Sequence, residues 1–134
     1  LDDACVVVHD AARALTPAAM VSRVVDAVLG GAPAVVPVVP VADTVKRVSG
    51  DVVGETLDRS ALRAAQTPQG FDLRMLREAN EKYLAEKPAF VATDDASLME
   101  WFGVPVATVE GDPMAFKITT PLDLKLAESV VGAV

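Results

Sequence analysis

VVVHDAAR, residues 6–13, joins three β-branched apolar residues to His9, Asp10 and, three positions further on, Arg13. A short apolar run bounded by such a break reads as a buried strand whose carboxyl end delivers charge into a loop. In an open α/β sheet, loops beyond the strand carboxyl ends converge while the sheet holds them rigid, so ligands bind there. Asp10 in that place can ligate Mg2+, which favours carboxylate, water and phosphate oxygens. Arg13 can grip a phosphate through two parallel hydrogen bonds. The same spacing equally allows Asp10 to cap the turn and pair with Arg13.

Composition supports an α/β class. The chain has 134 residues, 51% of them apolar, and only six aromatics (four Phe, one Trp, one Tyr), so Val, Ala and Leu must fill the core. That mixture is common where parallel strands are covered by helices on both faces. No repeat, linker or low-complexity tract divides residues 1–134, which predicts one domain. The net charge is -7 with no Lys/Arg-rich run, so the electrostatic footprint of a nucleic-acid binder is missing. The single Cys5 excludes an internal disulfide framework, and LDDACVVV (residues 1–8) lacks the pattern of a signal peptide. No apolar run approaches the roughly 20 residues that span a bilayer. No membrane and no nucleic acid are expected as partners, and the cytoplasm is the expected compartment. A core strand that begins at Cys5, with nothing before it to pair with, predicts a missing N-terminal part.

Further along, Thr16-Pro17 reads as an N-cap followed by proline at the first helical position. Met20, Val21, Val24, Val25 and Val28 then recur at helical spacing up to Gly30-Gly31. APAVVPVVPV (residues 32–41) reads as a short buried strand whose prolines suit a strand end or edge. Residues 43–58 alternate around Ser-Gly-Asp as a hairpin would; its faces are not apolar enough for burial in one small domain, which fits either a projecting arm or a solvated surface hairpin. ALRAAQTPQGF (residues 61–71) carries little periodic signal. Asp72 caps a predicted helix over residues 73–87, with Leu73, Leu76, Ala79 and Tyr83 on one stripe. A shorter helix follows ATDD (residues 92–95), residues 104–111 form a strand, and Thr120, Pro121 and Asp123 open the last helix as a capping box.

Six of the twelve basic residues, Arg23, Arg74, Arg77, Lys82, Lys87 and Lys125, fall on predicted helices where solvated faces explain them. The other six, Arg13, Lys46, Arg47, Arg59, Arg63 and Lys117, fall in loops, the hairpin or irregular segments, which suggests anion binding in so acidic a chain. Lys117, just ahead of the last capped helix, can reach an oxyanion near the strand ends or stand as an exposed loop lysine. Thr44, Thr67 and Thr93 place hydroxyls near these cations. Thr93 to Asp95 read most simply as a helix N-terminus with favourable negative charge. His9 has no His or Cys partner at metal spacing and reads as a packed strand-end residue with a structural hydrogen bond. No Ser/His/Asp arrangement, zinc signature or Gly-rich phosphate loop is visible, which disfavours covalent catalysis.

The ordered set VHDAAR (residues 8–13), PVADTVKR (40–47), LDRSALRAAQTPQGF (57–71), ATDDASLME (92–100) and VEGDPMAFKITTPLDLKLAE (109–128) closely resembles the 2-C-methyl-D-erythritol 4-phosphate cytidylyltransferase family. The resemblance implies a Rossmann-like nucleotidyltransferase sheet with helices on both faces. It also implies that residues 43–58 form a projecting β-arm that exchanges across a homodimer. The implied reaction joins CTP to methylerythritol phosphate, giving CDP-methylerythritol and pyrophosphate, with Mg2+ as cofactor. Asp10 then resembles the carboxylate that contacts Mg2+ and nucleotide, and Arg13 a substrate-side cation. Arg59 and Lys117 resemble the residues that position methylerythritol phosphate, Thr44 and Arg59 would serve the partner subunit's site, and Thr67 and Thr93 line the substrate pocket. Ala115 replaces the Asn common two residues before the lysine. The family's N-terminal Gly-rich loop, which cradles the CTP triphosphate, does not occur in these residues, so the chain is expected to be a C-terminal portion with negligible turnover alone. A cytidylyltransferase for another polyol phosphate, such as ribitol 5-phosphate, and a non-catalytic dimerising fragment are the alternatives.

Overall fold

Alternation along two neighbouring strands builds both layers of the core. The computed structural model describes residues 3–132. Its elements are β1 (Cys5–Val8), α1 (Ala18–Leu29), β2 (Ala34–Pro40), β3 (Lys46–Ser49), β4 (Val52–Thr56), β5 (Arg63–Ala65), β6 (Gln69–Asp72), α2 (Leu73–Glu86), α3 (Asp95–Trp101), β7 (Ala107–Glu110) and α4 (Pro121–Val131). Across the β2–β6 ladder Ala34 stands opposite Phe71 and Val35 opposite Gly70. Because successive strand side chains point to opposite faces, Ala34 and Phe71 pack with Leu76 and Ala79 of α2 and Leu98 and Met99 of α3. Val35 packs with Val24 and Val28 of α1 on the other face. Helices therefore cover both faces, as the composition predicts.

The sheet is mixed rather than parallel. β1 pairs antiparallel with β6, β6 and β5 pair antiparallel with β2, and only β2–β7 is parallel. The proline-rich β2 is thus the centre of the sheet, contrary to the edge position expected from its sequence. β6 pairs with Ala34 and Val35 and β5 with Val38 to Pro40 along one edge, while β7 takes the other edge from Val35 to Val38. Pro37 falls in the gap between β5 and β6, where its carbonyl accepts from the Gln66 N–H at 2.8 Å. Since N–H and C=O of one strand residue face the same edge, the donor that proline lacks is missing where no strand needs it.

Residues 61–71, which show no period, hold two strands of three and four residues separated by a cis Thr67–Pro68 bond. Such short strands are specified by their partners, not by local pattern. The predicted helices form, with one shift: Pro17, not Thr16, is the N-cap of α1, and the Thr16 hydroxyl donates instead to the Arg13 carbonyl at 2.7 Å. Asp72 caps α2 through the Met75 N–H, and Thr120 with Asp123 forms the capping box of α4. Strands β3 and β4 make a separate antiparallel pair, all of whose residues are exposed. Val48, Val52 and Val53 are exposed on it, and Arg47 pairs with Glu55 at 2.6 Å.

Gly70 sets how closely α1 approaches the sheet. A Cβ there would lie 2.6 Å from Val24 Cγ1 and 3.0 Å from Val28 Cγ2, both in fully or nearly fully buried side chains. Gly70→Ala is expected to lower unfolding free energy by about 1–3 kcal/mol through overpacking, read as a lower urea midpoint with unchanged m-value.

Candidate active site

β1 ends at Val8, and the next residues are held by a hydroxyl on the far side of the β6 ladder. Thr67 Oγ1 accepts the Asp10 backbone N–H at 3.0 Å and shares a hydrogen bond with His9 Nδ1 at 2.9 Å. His9 therefore has the structural hydrogen bond its position predicts, but it is exposed, not packed. The chain then turns tightly, with the Arg13 N–H donating to the Asp10 carbonyl at 3.0 Å. The Arg13 guanidinium folds back: Nε donates to Asp10 Oδ2 at 3.3 Å and Nη1 to the Ala115 carbonyl at 2.8 Å. Lys117 Nζ reaches the same Asp10 Oδ2 at 3.7 Å. The Asp10–Arg13 pairing that the spacing allows thus exists, and it places two cations on one oxygen. Among the described residues no hydrogen bond to Asp10 Oδ1 is made.

The loop that carries Ala115 and Lys117 is fastened at several points. The Ile118 N–H donates to the Ala12 carbonyl and the Gly111 N–H to the Val38 carbonyl. Gln66, 5% exposed, donates from Nε2 to the Asp112 carbonyl at 2.9 Å and accepts the Asp112 N–H on Oε1 at 3.0 Å. A Cβ on Gly111 would lie 2.3 Å from Gln66 Oε1, so a glycine is required for the amide to reach the backbone. Arg23, expected on a solvated face, instead donates from α1 to the Glu110 and Gly111 carbonyls. Ala115 is fully buried; its carbonyl, not a side chain, holds Arg13, so the absent Asn amide leaves this bond intact.

On another side, Asp94 caps α3 by accepting the Ser97 N–H on Oδ1 at 2.7 Å, and Gln69 Nε2 donates to its Oδ2 at 3.1 Å. Burial pushes the Asp94 carboxyl upward, but the hydrogen bonds from the Ser97 N–H, Gln69 and the Ser97 hydroxyl outweigh it and hold it below its ordinary value. Asp95 moves the other way, raised by burial and then by the negative charge of Asp94.

Asp10, Arg13, Thr67, Thr93 and Lys117 line one cavity of ≈ 310 Å³ together with Gln66, Gln69, Asp94 and Asp95. Five of the seven residues singled out from sequence therefore meet. The other two do not: Arg59 lines a separate open hollow beside Ser60 and Arg63, its guanidinium bonded to the Ala42 carbonyl, and Thr44 stands exposed ahead of the hairpin. The six non-helical cations accordingly do not form one anion site. Lys46 and Arg47 are engaged within the hairpin by Thr56 and Glu55. Gln66 and Gln69 escaped the sequence reading; the only signal was two glutamines beside an apolar Gly-Phe pair in an otherwise buried stretch. Among the described residues no three His, Cys, Asp or Glu side chains form a ready metal cage. A lone carboxylate such as Asp10 suits Mg2+ only when phosphate oxygens and water complete the shell.

A carboxylate and two cations gathered in a cavity beyond the carboxyl end of a strand, in a helix-covered mixed sheet, stand where an α/β fold presents charge to a ligand. The chain belongs to the 2-C-methyl-D-erythritol 4-phosphate cytidylyltransferase family, whose model matches residues 1–133. A relative of that name from Corynebacterium efficiens is 62% identical over 130 residues, covering 96% of this chain and 52% of the relative. Another from Nocardia farcinica is 59% identical over 125 residues, covering 92% and 52%. The crystal structure of 2-C-methyl-D-erythritol 4-phosphate cytidylyltransferase from Thermus thermophilus matches with a TM-score of 0.85 at 44% identity, over 96% of this chain and 62% of that one. That of the Francisella tularensis protein matches with a TM-score of 0.87 at 32% identity, over 96% and 60%. The chain spans about half the length of the curated relatives it matches.

The two cations differ in what they hold. Arg13 is 13% exposed and joins two loops, whereas Lys117 is 50% exposed and its amine pairs with the Asp10 carboxylate. Arg13→Ala is expected to cost about 1–3 kcal/mol of stability by orphaning the Ala115 carbonyl. Lys117→Met should stay within about 1 kcal/mol of the parent, both read by denaturant unfolding.

Proposed function

We propose that this chain supplies the acceptor-binding half of an enzyme that transfers the cytidylyl group of CTP to 2-C-methyl-D-erythritol 4-phosphate. The carrying observation is the convergence of Asp10, Arg13 and Lys117 on one cavity. An oxygen of the acceptor phosphate attacks the α-phosphorus of CTP, the new P–O bond forms as the α–β bridge breaks, and pyrophosphate leaves. Such a displacement needs no protein nucleophile; it needs in-line positioning and neutralisation of charge.

Lys117, half exposed to the cavity, holds the acceptor phosphate by charge, and Arg13 fixes the carboxylate that faces it. Thr67 sets the height of Asp10, and Thr93 offers a hydroxyl to the substrate. Asp10 is the residue that would hold Mg2+. When bound, the metal would neutralise phosphate charge. Thr44 and Arg59, outside the cavity of their own protomer, serve the partner's site through the hairpin arm in a homodimer; the exposed valines of that arm support this reading. The compartment is cytoplasmic, in keeping with the free Cys5; no helix of the described residues is long and apolar enough to cross a membrane.

The chain spans about half the length of its curated relatives, and cradling the nucleotide's triphosphate is not assigned to these residues. Full-length enzyme is expected to release pyrophosphate only with both CTP and methylerythritol phosphate present, and the 134-residue chain alone to show negligible turnover. Even one lost oxyanion donor costs ~3–4 kcal/mol in the transition state. Pyrophosphate-release assays decide this: comparable turnover by the chain alone, or full-length preference for ribitol 5-phosphate, would contradict the proposal.

A further inference from the structure

Gln69 has no part in the chemistry above, yet it is 5% exposed, lines the cavity and commits both ends of its carboxamide to the start of α3. Nε2 donates to Asp94 Oδ2 at 3.1 Å, and Oε1 accepts the Ala96 N–H at 3.3 Å. A glutamine in a strand this buried is costly unless its polar atoms are matched; here they are matched, and by one short segment of another element. With Ser97 bonded to Oδ1, the Asp94 carboxylate is held at both oxygens and cannot turn.

The cavity is chemically divided. The loops after β1 and β7 contribute two cations, Arg13 and Lys117, against the one carboxylate of Asp10 that pairs with both, while the start of α3 contributes Thr93 and two carboxylates, Asp94 and Asp95, with no cation. A phosphate is drawn to the cations and repelled by the carboxylates. Hydroxyl groups, which donate to carboxylates and exchange bonds with a threonine, suit the second wall. A molecule with phosphate at one end and hydroxyls along the rest matches both.

We propose that Gln69 is a positioning residue for the polyol end of the acceptor: by clamping Asp94 and Ala96 it fixes the wall of Thr93, Asp94 and Asp95 that meets the acceptor's hydroxyls. The inference rests on the cytidylyl-transfer reading. The same hydrogen bonds, from the Ser97 N–H, Gln69 and the Ser97 hydroxyl, hold the Asp94 carboxyl below its ordinary value.

Steady-state kinetics of the full-length enzyme test it with Gln69→Leu, Gln69→Glu, Asp94→Asn and the Gln69→Leu/Asp94→Asn double variant. Gln69→Leu is expected to raise KM for methylerythritol phosphate about tenfold, with kcat and KM for CTP within about twofold. Because Gln69 acts through Asp94, the same substitution on an Asp94→Asn background should add less than about twofold. Gln69→Glu keeps the shape but sets an acceptor against Asp94, so it should reproduce the acceptor defect and serves if the leucine variant does not fold. A purely structural role would lower kcat or affect both substrates alike. Unchanged acceptor KM, an equal loss for CTP, or full additivity with Asp94→Asn overturns the inference in an active enzyme. A parent without turnover instead overturns the transfer reading on which it stands.

Discussion

Three backbone N–H groups from three separate walls of the cavity donate to side-chain oxygens of one four-residue stretch. Asp112 donates to Gln66, Asp10 to Thr67 and Ala96 to Gln69. The stretch runs from the residue after β5 to the first residue of β6, alongside Pro37 of the central strand. Each segment that builds the site makes at least one hydrogen bond to it. Thr67 places the end of β1, and with it Asp10. Gln66 places the loop that brings the Ala115 carbonyl and Lys117 to Arg13 and Asp10. Gln69 places the start of α3.

Physical chemistry makes this arrangement stiff. A buried amide that loses one partner suffers a desolvation penalty of about 1–3 kcal/mol, so each glutamine holds its loop in one position or not at all. Both have two partners, and no buried side-chain nitrogen or oxygen of the described residues lacks one. The surrounding layers press on the same region: Phe71 packs under α2 and α3, and Gly70 lets α1 settle on the opposite face. The charged cluster itself is only half buried, which suits ligand exchange; rigidity comes from the neutral hydrogen bonds beneath it. The hairpin stands apart as its own two-stranded sheet, with every residue of both strands exposed.

Local signals were legible wherever the physics is local. Caps at Asp72, Asp94 and Thr120 announce their helices because a side-chain oxygen three residues before an N–H acts within one turn. The break after Val8 shows where a strand delivers Asp10 and Arg13. What the sequence did not reveal depends on pairing between distant segments. Strands β5 and β6 are too short to show a period, β2 can be central because Pro37 coincides with a gap that only the fold creates, and Arg23 finds its carbonyl partners 87 and 88 residues away. Gln66 and Gln69 look like ordinary polar residues until the sheet buries them. Lys117, Thr67 and Thr93 entered through resemblance as much as spacing, and the cavity unites them with Asp10; Arg59 and Thr44 lie outside it, in the region of the arm.

The central claim is that residues 66–69 hold the three walls as one unit. Amide hydrogen exchange at Asp10, Ala96 and Asp112 reads it most directly. The account predicts that all three are protected and open together, with opening free energies equal within about 1 kcal/mol. Exchange of any one at the unprotected rate while the other two stay protected would mean that the walls are fastened independently, and would contradict it.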